Sequence, residues 1–215
     1  KEILGYEKPF FCAPLGFNPD NYKEESFNQE ENPFDKVFPQ NKTIIGYAGS
    51  MGITNALEPF IETIKLLKDN EALHFLLVGS GDLREKFEKE LDNCQNVTFL
   101  PRIGQNEVKY FLKKCDILYL STKYSKVWEY GQSMNKVVEY MIASKPIIAS
   151  YSGYPSMINE ASCGKFVNIS DPKELKKSII DIVNLSPKEK RSLGENGKRC
   201  IYENRQYSKI SKEYL

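Results

Sequence analysis

Short apolar runs rich in β-branched and aromatic residues alternate along most of this chain with segments of helical periodicity, and this alternation restricts the fold more than any other feature. The runs predicted as strands are TIIGYAG (43–49), LHFLLVGSG (73–81), NVTFL (96–100), DILYL (116–120), PIIAS (146–150) and KFVNI (165–169). The segments predicted as helices, each with one apolar face, are residues 56–68, 83–91, 106–114, 134–143 and 173–183.

Strands that alternate with helices predict successive βαβ units, whose right-handed crossovers build a parallel sheet with helices on both faces. The predicted fold class is therefore α/β, a doubly wound parallel sheet of the Rossmann-like kind. In such sheets ligands bind beyond the carboxyl ends of the strands, where the strand order reverses. We expect the chemistry in the loops that follow Tyr47, Val78, Leu100 and Leu120.

Proline content divides the chain into three predicted parts. Residues 1–42 hold five of the eleven prolines and are predicted to be an interdomain linker with a remnant of a preceding domain. Residues 43–205 are predicted to form the Rossmann-like domain, and residues 206–215 a terminal helical tail. Because the chain opens at Lys1 without a signal segment, we expect a piece excised from a longer protein.

The overall composition excludes several functions. Thirty Lys and Arg against 29 Asp and Glu leave a net charge of +1, which does not favour a nucleic-acid partner. The apolar runs are far shorter than the roughly 20 residues of a spanning helix. Five scattered cysteines without CxxC spacing predict neither a disulfide framework nor a zinc site, and a cytoplasmic protein is expected.

The first predicted strand is followed by the glycine-bearing loop Gly49, Ser50, Met51 and Gly52. Its backbone amides could approach a phosphate, aided by the start of the next helix, but a simple tight turn explains the glycines as well. The spacing lacks the G-x-G-x-x-G pattern of dinucleotide-binding proteins, so NAD binding is disfavoured. No G-K-[ST] sequence follows a glycine loop either, which excludes a P-loop.

A second candidate site is the predicted helix start at Ser133, Met134, Asn135 and Lys136, with Glu139 one turn later. Ser133 is predicted to cap the helix. A diphosphate could bind the free amides and the Lys136 ammonium while the Glu139 carboxylate accepts both ribose hydroxyls. The alternative is that Lys136 and Glu139 form an ordinary surface ion pair, and spacing alone does not decide between the two.

Other chemistries find little support. The chain has no Asp-x-Asp pair for a metal, and its single histidine, His74, lies in an apolar run where a core imidazole is expected rather than a catalytic base. Asp116 begins its strand, which is the wrong edge of the sheet for a phospho-accepting aspartate. Neither a metal nor a bound cofactor is therefore predicted.

Several segments together resemble glycosyltransferase family four. They are YAGSMGITNAL (47–57), LVGSG (77–81), VTFLP (97–101) and SMNKVVEYMIASKPII (133–148). The last is similar to the SPNKLFEYMAAGKP pattern of the bacterial branch that builds lipopolysaccharide and capsule. The resemblance extends from residue 43 to about residue 205.

The resemblance implies that the chain is the carboxyl-terminal half of a GT-B enzyme, which holds a nucleotide-sugar donor. It also implies that this half does not turn over on its own, because the acceptor half is absent. It places the ribose contact at Glu139, the phosphate contacts at residues 133–136 and 49–52, and the base near Arg102 and Ile103. The acceptor would be a glycan or a lipid-linked glycan, and the full enzyme would associate peripherally with the inner face of the plasma membrane.

Two features depart from the family pattern. The family's second acid, eight residues before the ribose-binding Glu, is Gly131 here, and no basic residue occurs between Ser50 and Ala56 to hold the phosphates. Lys123, Lys126 or Lys136 is expected to replace that cation. We select Lys126 as the catalytic residue that stabilises charge on the departing nucleotide.

The predicted function is donor binding in a retaining glycosyltransferase, which moves a hexose or N-acetylhexosamine from a UDP-sugar to a lipid-linked glycan in surface polysaccharide synthesis. Two alternatives remain open at this point. One is a non-catalytic nucleotide-binding module, since no general acid or base is evident in the sequence. The other is a UDP-sugar epimerase of the same GT-B architecture.

Overall fold

The fold is taken from a computed structural model that describes residues 15–22, 33–126, 128, 134–151, 156–167 and 171–214. Its strands are β1 (Thr43–Ala48), β2 (Leu73–Val78), β3 (Val97–Leu100), β4 (Ile117–Ser121), β5 (Ile147–Ser150) and β6 (Gly164–Val167). All six predicted strands are confirmed, with small shifts at their ends.

The strands form one parallel sheet in the order β3-β2-β1-β4-β5-β6. From the centre of the sheet, β1, β2 and β3 follow one another toward one edge, and β4, β5 and β6 follow one another toward the other edge. The order therefore reverses between β1 and β4, which pair through Ile45 with Ile117 and Gly46 with Leu118. In a doubly wound sheet this reversal opens a crevice at the carboxyl ends of the two strands.

Eight helices connect or follow these strands within the described ranges. They are α1 (Glu58–Leu66), α2 (Arg84–Glu90), α3 (Gln105–Lys114), α4 (Asn135–Ile142), α5 (Met157–Glu160), α6 (Pro172–Val183), α7 (Pro187–Asn204) and α8 (Tyr207–Tyr214). The five predicted helices are confirmed as α1, α2, α3, α4 and α6. The four-residue α5 was not predicted, because one turn is too short to show helical periodicity.

The helices cover both faces of the sheet and create two apolar cores. One core packs α1, α2 and α6 on the sheet through residues such as Phe60, Phe87 and Ile179. The other core packs α3, α4, α5 and α7 through residues such as Phe111 and Tyr140. Alternate strand residues point into opposite cores, as the twofold periodicity of a strand requires, and the doubly wound prediction is confirmed.

The described part of the predicted linker packs against the domain instead of extending away from it. In the N-terminal segment (residues 15–22), Phe17 is 4% exposed and joins the second core. Its N–H donates to the Arg205 carbonyl at 2.9 Å, and its carbonyl accepts from the N–H of Tyr207 at 3.0 Å. The segment therefore bridges the end of α7 to the start of α8.

Two interpretations of polar strand residues are confirmed. The Asp116 carboxylate accepts the N–H of Ile44 at 2.8 Å and so joins the amino edges of β4 and β1. His74 is buried on β2, where its Nε2 lies 2.9 Å from the Thr98 hydroxyl. Burial, assisted by Lys42, lowers the pKa of His74. The imidazole is thus a core group and not a catalytic base.

Candidate functional site

A cavity of about 630 Å³ lies at the carboxyl edge of the sheet. The loops after β1, β2 and β3 line it together with the first turns of α3 and α4, next to the reversal of strand order. Seven of the predicted site residues line this cavity: Gly49, Ser50, Arg102, Ile103, Asn135, Lys136 and Glu139. Three of the four loops in which chemistry is expected, those after Tyr47, Val78 and Leu100, thus meet at this cavity, whereas no described residue of the loop after Leu120 lines it.

Other predicted residues do not line the cavity. Met51 is fully buried, and its backbone N–H donates to the Ser80 carbonyl at 2.8 Å. The N–H of Gly49 likewise donates to the Val78 carbonyl at 2.9 Å. These two amides are engaged within the protein, which limits the phosphate contacts that the loop can offer.

The remaining predicted residues lie at the edges of the site or beyond what is described. Gly52 and Met134 are described but do not line the cavity. Lys126 is exposed and does not line the cavity either, so the catalytic role predicted for it gains no support from this geometry. Ser133 and Gly131 lie outside the described residues.

The start of α4 differs by one residue from the prediction. The N-cap is Met134, whose side chain makes no capping hydrogen bond, so the prediction of Ser133 as the cap is wrong. The N–H groups of Val137 and Val138 donate to the Met134 carbonyl. The first two amides of the helix, at Asn135 and Lys136, belong to the end of the helix that borders the cavity. This end of a helix carries partial positive charge.

Lys136 holds its ammonium group against the end of β1. Its Nζ lies 3.2 Å from the Tyr47 hydroxyl, 3.5 Å from Asn55 Oδ1 and 4.3 Å from the centre of the Tyr47 ring. Burial lowers the pKa of Lys136 to about 8, although Glu139 opposes the shift. The Lys136 ammonium is shielded from water and lies at a cavity wall, so it is well suited to bind an anion. Such an anion would not have to displace another strong partner of the ammonium.

Glu139 lies one turn further along α4, half-buried between two cavities. It lines the main cavity and also a smaller one of about 210 Å³, bounded by α3, α4 and the N-terminal segment. Burial raises the pKa of this carboxyl group, against the influence of Lys136 and Lys109. Within the described part of the chain it has no hydrogen bond and no ion pair, so the alternative of a Lys136–Glu139 surface ion pair is wrong.

The loops after β1 and β2 are in direct backbone contact. Gly79 has φ of +144°, and a Cβ there would lie 1.9 Å from the Gly49 carbonyl oxygen. Gly81 has φ of +153°, and a Cβ there would lie 2.6 Å from the backbone of Met51. These two glycines are therefore required for the loops to pack together, and they form part of the cavity wall.

Arg84 at the start of α2 is a supporting residue that the sequence did not indicate. Its Nη1 donates to the carbonyls of Gly79 at 2.7 Å and Leu100 at 2.8 Å, and its Nε donates to Glu88 at 2.8 Å. The guanidinium thus joins the carboxyl ends of β2 and β3, from which two loops enter the cavity. A basic residue six positions after a strand is common in α/β domains, so its spacing carried no signal.

We expect Arg84→Met to lower the free energy of unfolding by about 1–1.5 kcal/mol, because two charge-assisted hydrogen bonds to carbonyls are lost from a partly exposed site. Urea unfolding followed by circular dichroism measures the change. Lys86→Met, on the same helix with a half-exposed side chain, is the matched control and should stay within about 0.5 kcal/mol of the unchanged protein. Equal effects of the two substitutions would contradict this role of Arg84.

Within the described ranges, no three His, Cys, Asp or Glu side chains are placed to hold a metal ion. No helix among the described residues combines the length and the apolar character needed to cross a membrane.

The chain is similar to known proteins in its family and in its fold. A family model described as glycosyl transferases group 1 matches residues 28–200. The uncharacterized glycosyltransferase MJ1069 of Methanocaldococcus jannaschii is 26% identical over 199 residues, which are 89% of this chain and 48% of that protein. The chain thus spans about half the length of the curated relative that it matches.

Two solved structures share the fold. Anabaena Alr3699/HepE in complex with UDP has a TM-score of 0.72 at 14% identity, over 93% of this chain and 54% of that chain. The C-terminal domain of the glycosyl transferase group 1 family protein LpcC from Francisella tularensis has a TM-score of 0.66 at 19% identity, over 80% of this chain and 90% of that chain. Together with the sheet order, these likenesses establish a Rossmann-like α/β domain of the GT-B type.

Proposed function

The chain belongs to the glycosyl transferases group 1 family, and from this premise we propose that it is the nucleotide-sugar donor-binding domain of a glycosyltransferase. The observation that carries the proposal is the composition of the cavity of about 630 Å³: along one wall lie a desolvated ammonium, the amino end of a helix and a carboxylate that has no partner among the described residues. The ammonium and the helix end suit the diphosphate of a nucleoside diphosphate, and the carboxylate suits its ribose.

The diphosphate is assigned to Lys136 and to the first amides of α4. An anion at a helix amino end gains from unpaired N–H groups and from the helix dipole. Lys136 adds a full positive charge directly at that end. Of the three lysines considered as phosphate ligands, Lys123, Lys126 and Lys136, only Lys136 lines this cavity.

The ribose is assigned to Glu139 and the base to the loop after β3. A carboxylate can accept two hydroxyl protons at once, and such charge-assisted hydrogen bonds are the stronger ones. A half-buried carboxylate without a partner is costly to a folded protein, which is understandable if a ligand supplies the donors. Arg102 and Ile103 line the cavity wall beyond it and offer a charged group and an apolar surface to the base.

The donor is proposed to be a UDP-sugar, because the HepE structure contains UDP and shares the fold. The more specific assignments rest on the resemblance to the lipopolysaccharide and capsule branch of family four. They are transfer of a hexose or N-acetylhexosamine with retention, a lipid-linked glycan as acceptor, and work at the inner face of the plasma membrane. Because the chain spans about half of its curated relative, we propose that another half supplies the acceptor site and that this part alone does not turn over.

Isothermal titration calorimetry of the folded chain with UDP, GDP and ADP tests the proposal. We expect UDP to bind and to bind more tightly than GDP or ADP, because the HepE structure, which shares the fold, contains UDP. No heat from any of the three nucleotides would contradict the proposed function. A sugar-nucleotide substrate converted in the absence of acceptor, followed by product analysis, would instead favour the epimerase alternative.

A further inference from the structure

The Lys136 ammonium is bound on the protein side by two residues of the segment 47–57 to which the sequence assigned no role of their own. Tyr47, at the end of β1, is fully buried; its hydroxyl donates to the Ser50 carbonyl at 2.6 Å and accepts from Lys136 Nζ at 3.2 Å. The face of the same ring lies 4.3 Å from that ammonium. Tyr47 therefore binds the lysine through both its oxygen and its π-electrons.

Asn55 provides a second oxygen from the short 3-10 helix Ile53–Asn55. Its Oδ1 lies 3.5 Å from Lys136 Nζ, and its own carbonyl accepts the Ser121 hydroxyl at 2.6 Å, which fixes it to the end of β4. Gly49 closes the remaining protein side, because a Cβ there would lie 2.4 Å from Lys136 Nζ. An ammonium has three N–H donors; the Tyr47 and Asn55 oxygens can accept two of them. No hydrogen-bond acceptor for the third occurs among the described residues, so it is open to a ligand in the cavity.

We propose that Tyr47 and Asn55 are positioning residues that hold the Lys136 ammonium, charged and correctly placed, for the diphosphate of the donor. This inference rests on the proposed function and extends it to the question of how the cation is held. Burial disfavours the charged form of a lysine, and the two oxygens with the aromatic ring offset part of that cost. Without them the ammonium would lose its proton more easily and could rotate away from the phosphates.

Because the role proposed for Lys136 depends on its charge, it can be detected in the pH dependence of UDP affinity. Its pKa is lowered to about 8, mainly by burial. The other ionisable groups that face it are Tyr47 on β1, Glu139 and Tyr140 on α4, and Arg102 across the cavity. Burial raises the pKa of both tyrosines. Next to the diphosphate, loss of the Lys136 proton is then the change of charge expected between about pH 7 and pH 9, because UDP has already lost its last phosphate proton near pH 6.

UDP binding is favoured by the charged ammonium, so affinity is expected to be constant from about pH 7 to just below pH 8 and to fall as pH rises through that value, by up to about tenfold per pH unit. Uridine lacks phosphates and should not show this fall. Because uridine carries the same uracil base, it also reports any ionisation of the base toward about pH 9. A titration series with both ligands in the unchanged protein establishes the inflection.

The first test compares UDP and uridine near pH 7 in Tyr47→Phe and Asn55→Ala. We expect UDP affinity to fall about threefold to tenfold in each, the effect of one hydrogen bond, while uridine affinity is unchanged. Tyr119→Phe is the matched control, because Tyr119 is a fully buried tyrosine on neighbouring β4 that does not line the cavity. Tyr47→Phe keeps the ring and the packing, so it is expected to fold even if Asn55→Ala does not.

The second test follows the inflection of the UDP profile. It should move to lower pH in Tyr47→Phe and Asn55→Ala, which remove oxygens from the ammonium, and to higher pH in Asn55→Asp, which adds a negative charge beside it. A merely structural role would move it in neither direction. If the unchanged protein binds no nucleotide, the proposed function fails; if it binds UDP but neither variant changes the UDP-to-uridine ratio or the inflection, the positioning role is overturned.

Discussion

Replacing Lys136 with Met is expected to weaken UDP binding by about tenfold to a hundredfold, the effect of losing one charged hydrogen-bonding partner for the diphosphate. Uridine affinity should change by less than about twofold, because the nucleoside carries no phosphate for the ammonium to contact. The fall in UDP affinity above about pH 8 should also disappear, since the titrating group is gone. Calorimetry with both ligands from about pH 7 to pH 9 measures all three effects.

Two further lysine variants are needed to interpret the result for Lys136→Met. Lys176→Met is the control, because Lys176 lies at the amino edge of the sheet near Asn70, away from the cavity. Lys126→Met separates the two assignments of the phosphate cation. If Lys126→Met selectively weakens UDP and Lys136→Met does not, the cation is supplied by the loop after β4, and the placement of the diphosphate at α4 is wrong.

Replacing Glu139 with Ala is expected to weaken UDP binding by about 1–3 kcal/mol, because a carboxylate that accepts both ribose hydroxyls forms charge-assisted hydrogen bonds. In contrast to Lys136, the loss should appear for uridine as well as for UDP, since both carry the ribose. The ligand analogue 2′,3′-dideoxy-UDP gives the control: it should bind the unchanged protein and Glu139→Ala with similar affinity. An unchanged affinity for UDP would remove Glu139 from the site.

Protein stability should respond to Glu139→Ala in the opposite direction. Burial raises the pKa of this carboxyl group in the folded chain. Ionisation therefore opposes folding above the pKa of the unfolded state, and the penalty disappears when the group is protonated or removed. We expect the variant to be as stable as the unchanged protein or more stable near pH 7, as measured by urea unfolding. If removal of Glu139 weakens UDP binding without loss of stability, the residue serves ligand binding and not the stability of the fold.

Most of the fold could be predicted from local patterns. The runs that became β1 to β6 are short, apolar and rich in β-branched residues, and the segments that became α1, α4 and α6 repeat apolar residues at helical spacing. Alternation of the two implies parallel strands. Helix α5 could not be predicted because it is a single turn. The packing of Phe17 against α7 could not be predicted because an isolated aromatic residue among prolines is part of no periodic pattern.

The candidate site was only partly predictable. Glu139, Lys136 and Asn135 share one helix, so their spacing alone indicated a common face. Tyr47 and Asn55 precede Lys136 by more than eighty residues, and nothing in their local sequence indicates contact with a lysine. The choice of Lys126 relied on its nearness in sequence to the expected phosphate, whereas the structure leaves that side chain exposed and outside the cavity.

Local sequence by itself determined the kinds of element, their order and the helix face that carries Asn135, Lys136 and Glu139, because periodicity and residue preference act over a few neighbouring residues. Tertiary structure decided which loops meet, since strand order is set by packing across the whole sheet. It also decided the state of the individual groups. Burial beside Tyr47 lowers the pKa of Lys136, and burial at the cavity raises the pKa of Glu139; both effects depend on neighbours that only folding brings together.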